Sequence, residues 1–197
     1  MLFHSSVRQE LSRYFWATLV VLTTIVITVW LIRAFGDASV GKFNPQVIAA
    51  WSRILQGVPG SRLLLKAKLI EMPGTRERLE AAFAQHGIGT DRLELLGASD
   101  RRAYLETYHR VDIGLDPFPY TGGTTTAESL WMGVPVVSQY GANMVSRQGL
   151  GLLTNAGLPD WTAANTDDYV RKAVAFAADI TALAALRGRL RAQVLAS

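Results

Sequence analysis

The chain has no cysteine, which excludes disulfide frameworks and thiolate-held metals and leaves its compartment open. Histidine is nearly as scarce: His4, His86 and His109 stand apart, at no metal-ligand spacing, so no metal site is expected. Charge of one sign is scarce as well. Twenty Lys and Arg against 16 Asp and Glu leave a formal +4 spread over helical segments, without a basic block interleaved with aromatics. Nucleic acid is therefore not an expected partner. No internal repeat occurs, and 197 residues allow one domain with a small appendage.

Hydrophobic residues make up 49% of the chain, and the excess lies at the N-terminus and in the Ala-rich C-terminal helices. From Tyr14 to Ile32 there is no charge, and Arg13 and Arg33 bracket the run. As a helix it spans roughly 28 Å, the hydrocarbon thickness of a bilayer. Trp16 and Trp30 stand near its ends, where indoles anchor at headgroups. A buried core helix would need a polar face at helical spacing, and none is present. The expectation is a tail over residues 1–13, a transmembrane helix over 14–33 and a linker over 34–44, with the membrane as a partner. Ala34-Phe35-Gly36 leaves signal cleavage as the alternative. Basic residues on the two sides nearly balance, so orientation stays undetermined.

The most informative stretch runs from Asp116 through Pro117, Pro119 and Gly122-Gly123 to Thr124-Thr125-Thr126. It follows the apolar run Val111–Leu115 and leads, past Gly133, to a second apolar run, Val134–Val137. Strand, glycine turn, hydroxyl-rich helix start, helix and strand together form an anion pocket. The first helical N–H groups are unpaired, the helix dipole favours negative charge, and glycine lets a phosphate approach the backbone. A diphosphate suits this arrangement. Thr and Ser also cap helices with no ligand present, and Gly-Gly also serves as a plain turn.

Around that stretch short strands alternate with amphipathic helices. Asn44 and Pro45 open a helix with the stripe Val47, Ile48, Trp51, Ile54 and Leu55. Strands are predicted at 62–66, 93–96 and from Val111, and helices at 75–85, 101–109, 145–153, 167–178 and 181–195. This pattern predicts a Rossmann-like α/β fold over 45–197, a parallel sheet with helices on both faces. In such sheets ligands lie beyond the carboxyl ends of the strands, which is where the Asp116–Thr126 loop falls.

Several segments carry a resemblance. Trp51-Ser-Arg-Ile-Leu55, Val58–Lys66, Asp91–Gly97, Tyr108–Tyr120, Gly122–Val137 and Ser146-Arg147 together are similar to the C-terminal half of the catalytic region of protein O-GlcNAc transferases. The likeness runs from about Lys42 to Ser197. It implies one half of a two-domain GT-B glycosyltransferase, with UDP-GlcNAc or another UDP-sugar as donor substrate and a protein Ser or Thr as acceptor. No cofactor or metal is implied. By the same likeness Thr124 and Thr125 meet the diphosphate and Gly122 and Gly123 shape the turn. Glu128 accepts from ribose hydroxyls, Arg101 and Tyr104 line the uracil pocket, and Lys42 neutralises the leaving diphosphate. Glu128, Arg101 and Tyr104 also read as ordinary helix residues, and Lys42 as a linker lysine. Asp112 and Asp116 read as loop-shaping acids and His109 as a helix-end residue.

The likeness lacks the tetratricopeptide repeats, the first Rossmann domain and the family's closing helix, and the uncharged run replaces the first strand of the second domain. Weak or absent transfer by this chain alone is therefore expected, leaving a membrane-anchored, non-catalytic nucleotide-binding module or a non-functional fusion as the alternatives. Met1–Leu11 with the uncharged run resembles the N-terminal helix of lipopolysaccharide-export permeases, which implies a single pass through the inner membrane.

Overall fold

The computed structural model describes residues 43–197. The transmembrane expectation over 14–33, the tail, most of the linker and Lys42 lie outside the described residues. Among the described residues no helix is long and apolar enough to cross a membrane.

Helix α1 (Pro45–Gly57) starts as its sequence dictates. The Asn44 side chain accepts the Val47 N–H at 2.9 Å, and Pro45 occupies the first turn, where its missing N–H costs nothing. Val47, Ile48, Trp51, Ile54 and Leu55 are all buried. The Asn44 amide also donates to the Phe118 carbonyl at 2.7 Å, tying the start of α1 to the loop that follows the third strand. Strand β1 (Leu63–Lys66) pairs in parallel with β2 (Leu93–Leu96), Leu63 opposite Leu93, and in both strands the alternate leucines are buried. Helix α2 (Thr75–Ala84) connects them.

Helix α3 (Arg101–Glu106) is capped by Asp100, whose side chain accepts the Ala103 N–H at 2.9 Å. The predicted helix to His109 tightens instead into a 3-10 turn over Thr107–Arg110. The Thr107 hydroxyl bonds back to the Ala103 carbonyl at 2.9 Å, a bond that disturbs regular α geometry. Then come β3 (Gly114–Leu115), α4 (Thr124–Trp131), β4 (Val136–Gln139), α5 (Gln148–Asn155), β5 (Thr162–Ala163), α6 (Thr166–Ala178) and α7 (Ile180–Ala196). β4 begins later than its apolar run suggests. Gly133 sits at φ +76°, and the Val134 N–H returns to the Ser129 carbonyl at 2.8 Å, so Val134 still belongs to the helix exit.

Every strand pair is parallel, as expected, but the sheet comes in two pieces, β1–β2 and β3–β4–β5. Between them lies a cavity of about 550 Å3, lined among others by Trp51, Ile54, Leu63, Leu65, Ile113 and Leu183. In the doubly wound order 3-2-1-4-5 the first strand stands between the second and the fourth. With α1 ahead of β1, the strands flanking the cavity are the second and the fourth of that order. Helix α1 packs on α2 and α6, α4 on α7, and α5 and α6 on β4.

Candidate functional site

The turn between β3 and α4 is built on buried polar groups. Asp116 extends the β3–β4 ladder through its N–H to the Val137 carbonyl at 3.0 Å. Its carbonyl accepts the Tyr169 hydroxyl at 3.0 Å, and that hydroxyl accepts the Trp51 indole N–H at 3.0 Å. Burial raises the Tyr169 phenol pKa, against the opposing pull of the Trp51 bond, so it stays a neutral donor. The chain then passes through a cis Phe118–Pro119 bond, with the Phe118 ring packed edge-on against Tyr169 at 5.4 Å.

Crowding favours glycine at Gly122, where three side chains close in, and less so at Gly123, where only the tip of Gln148 is near. A Cβ at Gly122 would fall 2.5 Å from the Thr125 and Thr126 hydroxyls, and one at Gly123 2.7 Å from the Gln148 side-chain oxygen. Helix α4 opens at Thr124 without a side-chain cap, and its first intrahelical bond runs from the Ala127 N–H to the Gly123 carbonyl at 3.0 Å. Thr124 and Thr125 are exposed and Thr126 is buried. The helix start thus presents its dipole and unsatisfied N–H groups to an incoming anion, with two hydroxyls beside them.

Three further predicted residues converge on this helix. Glu128, one turn in and with 14% of its side chain exposed, receives the Arg101 guanidinium at 2.5 Å. Arg101 is well solvated, so this pair is weak and a ligand hydroxyl can compete for the carboxylate. The Arg101 guanidinium also lies 5.9 Å from the centre of the Tyr104 ring. The Tyr104 hydroxyl is 2.9 Å from that of Tyr108, and the Tyr108 hydroxyl donates to the Thr125 carbonyl at 3.3 Å. Burial is the largest cause raising both phenols' pKa values, so both remain protonated hydrogen-bonding groups.

Of the residues singled out from the sequence, Gly122, Gly123, Thr124, Thr125, Glu128, Arg101 and Tyr104 lie together, and Lys42 is outside the described residues. His109 lies exposed near the end of the 3-10 turn. Exposed Asp112 pairs with Arg187 at 2.6 Å, and Asp116 holds its loop through Val137, Tyr169 and Thr126. Sequence reasoning missed Tyr108, Thr126 and Gln148. The first could have been found four residues from Tyr104, on the same helix face. Nothing local marks Gln148. Among the described residues no group of three or more His, Asp or Glu is placed to hold a metal ion. The cavity between the two sheet pieces shares no lining residue with this turn.

Comparison with known proteins shows the family. The profile of glycosyl transferase family 41 matches residues 37–197. The Arabidopsis thaliana protein SPINDLY, described as a probable UDP-N-acetylglucosamine–peptide N-acetylglucosaminyltransferase, is 41% identical over 154 residues, covering 78% of this chain and 17% of the relative. The Caenorhabditis elegans UDP-N-acetylglucosamine–peptide N-acetylglucosaminyltransferase is 26% identical over 150 residues, covering 76% of this chain and 13% of the relative. A solved structure of a mutant O-GlcNAc transferase from Thermobaculum terrenum superposes with a TM-score of 0.75 at 39% identity, over 78% of this chain and 29% of that one. The chain thus spans less than a third of the length of each.

Proposed function

Because the chain belongs to glycosyl transferase family 41, we propose that residues 43–197 hold the nucleotide half of a UDP-sugar, UDP-GlcNAc by the names of its relatives. The observation that carries this reading is the uncapped start of α4 behind Gly122-Gly123, flanked on one side by Glu128 and Tyr104. The diphosphate lies at the helix start, against the Thr124 and Thr125 hydroxyls and backbone N–H groups. Glu128 exchanges Arg101 for the ribose hydroxyls. The base rests beside the Tyr104 and Tyr108 phenols, which burial keeps neutral.

In the transfer this donor serves, an acceptor Ser or Thr oxygen of a protein bonds to the anomeric carbon as the bond to the β-phosphate breaks. Negative charge then grows on UDP, and the N–H groups and dipole of α4, with Lys42, stabilise it. No cofactor takes part. Thr124 and Thr125 face solvent, so the far side of the ligand must be closed by another surface before water is excluded. Alone, the chain binds the donor and transfers weakly or not at all. The uncharged run between Arg13 and Arg33 fits a single-pass anchor in the inner membrane.

Competition against a fluorescent UDP analogue tests the donor reading. UDP-GlcNAc and UDP should displace the analogue and GDP should not. Equal displacement by GDP would show that the base contacts are wrongly assigned.

A further inference from the structure

The turn before α4 is held from below by two buried groups that a ligand at the helix start does not touch. Asp116 is 6% exposed and Thr126 1%. The Thr126 hydroxyl lies 2.9 and 3.0 Å from the two Asp116 carboxylate oxygens and 2.9 Å from the Gly122 carbonyl oxygen. One proton is shared among three acceptors, so the hydroxyl acts as a multi-centre pin between the end of β3 and the glycine turn. Asp116 is itself anchored from outside the turn, through Val137 on one side and the Tyr169–Trp51 pair on the other.

The pinned carbonyl belongs to the Gly122–Gly123 peptide, and among the described residues the only cis bond is Phe118–Pro119. In a planar trans peptide the N–H is directed opposite to the C=O. Drawing the Gly122 carbonyl inward to Thr126 therefore turns the Gly123 N–H outward. It joins the uncapped N–H groups of α4 on the side where Thr124 and Thr125 are exposed.

We propose that Asp116 and Thr126 are positioning residues that aim the Gly123 N–H at the diphosphate of the bound donor. This rests on the donor-site reading above. The pair acts mainly on the phosphate end, because the bonds to Glu128 and Tyr104 come from Arg101 and Tyr108.

The test compares UDP with uridine on the full chain by calorimetry, for Thr126→Val, Thr126→Ser and Asp116→Asn. Thr126→Val should weaken UDP by about tenfold, the size of one hydrogen bond to a charged group. Uridine affinity should stay within about twofold, and Thr126→Ser should restore UDP binding, since it keeps the hydroxyl. Asp116→Asn should follow Thr126→Val in the UDP-to-uridine ratio. A variant that loses UDP and uridine by the same factor, or a Thr126→Val chain that keeps its UDP affinity, overturns the proposal. If the unsubstituted chain binds neither ligand, the donor reading fails, and the positioning claim is decided in the ligand-free protein. There the Gly123 amide resonance should move in Thr126→Val and not in Thr126→Ser; an unmoved resonance overturns it.

Discussion

Two interior regions of this domain are built in opposite ways. Beneath the α4 turn, Asp116, Thr121, Thr126 and Tyr169 are buried polar groups, and each is hydrogen-bonded. Between β1 and the Val111–Leu115 segment lies a cavity of about 550 Å3, lined largely by apolar side chains from both sheet pieces and from α1, α6 and α7. Hydrogen-bonded buried groups favour one geometry, because each alternative leaves a donor or acceptor unpaired, although the nearby buried Ser138 hydroxyl has no partner among the described residues. An apolar cavity defines little, and its lining forgoes dispersion contacts. The turn before α4 is thus the better-determined of the two, even where the sheet beside it is interrupted.

Trp51 belongs to both regions: it lines the cavity, and its indole N–H supports Tyr169. Trp51→Ala should therefore be the most damaging single change, costing about 3–5 kcal/mol in urea unfolding. Trp51→Phe keeps most of the bulk and drops the N–H, and should cost far less. Equal costs would mean that the polar relay, not the packing, sets the value of Trp51.

Tyr169→Phe probes the polar side alone. It leaves the Asp116 carbonyl and the Trp51 N–H without their partner and should cost about 1–3 kcal/mol. The same change also tests the pH dependence. Burial raises the phenol pKa values of Tyr104, Tyr108 and Tyr169, so each binds its proton more tightly folded than unfolded. Their contribution is whole below pH about 10, the unfolded value, and is lost as pH rises above it. Melting temperature should fall more steeply above pH 10 in the unsubstituted chain than in Tyr169→Phe; parallel curves would contradict that assignment.

Ala177→Leu probes the cavity. A leucine placed in free apolar space should stabilise by about 0.5–2 kcal/mol, a rise in melting temperature of a few degrees. A fall would show that the space is already filled in solution. The smallest effect should come from Arg101→Gln, which removes a solvated ion pair to Glu128 and should leave stability nearly unchanged.

Much of this was legible along the chain, and the reason is local chemistry. Asn44-Pro45 and Asp100 cap the helices they precede, Leu93–Leu96 is a strand with the bounds its leucines suggest, and Gly122–Thr126 forms the turn its residues require. What stayed hidden depends on distant partners. The two-residue β5 exists because β4 pairs with it, Gln148 reaches Gly123 from another helix, and Thr126 differs from its two neighbours only in facing inward to Asp116. The division of the sheet into two pieces was foreshadowed only by the resemblance, in which the first strand is replaced, and not by the strands themselves, which each look ordinary.

The most direct measurement is a calorimetric UDP titration of the full chain beside its Thr124→Ala/Thr125→Ala double variant. Saturable binding that the double variant loses, with its melting temperature unchanged, is the predicted result and places the diphosphate at the start of α4. No binding by the folded, unsubstituted chain, or equal binding by both proteins, would contradict the account.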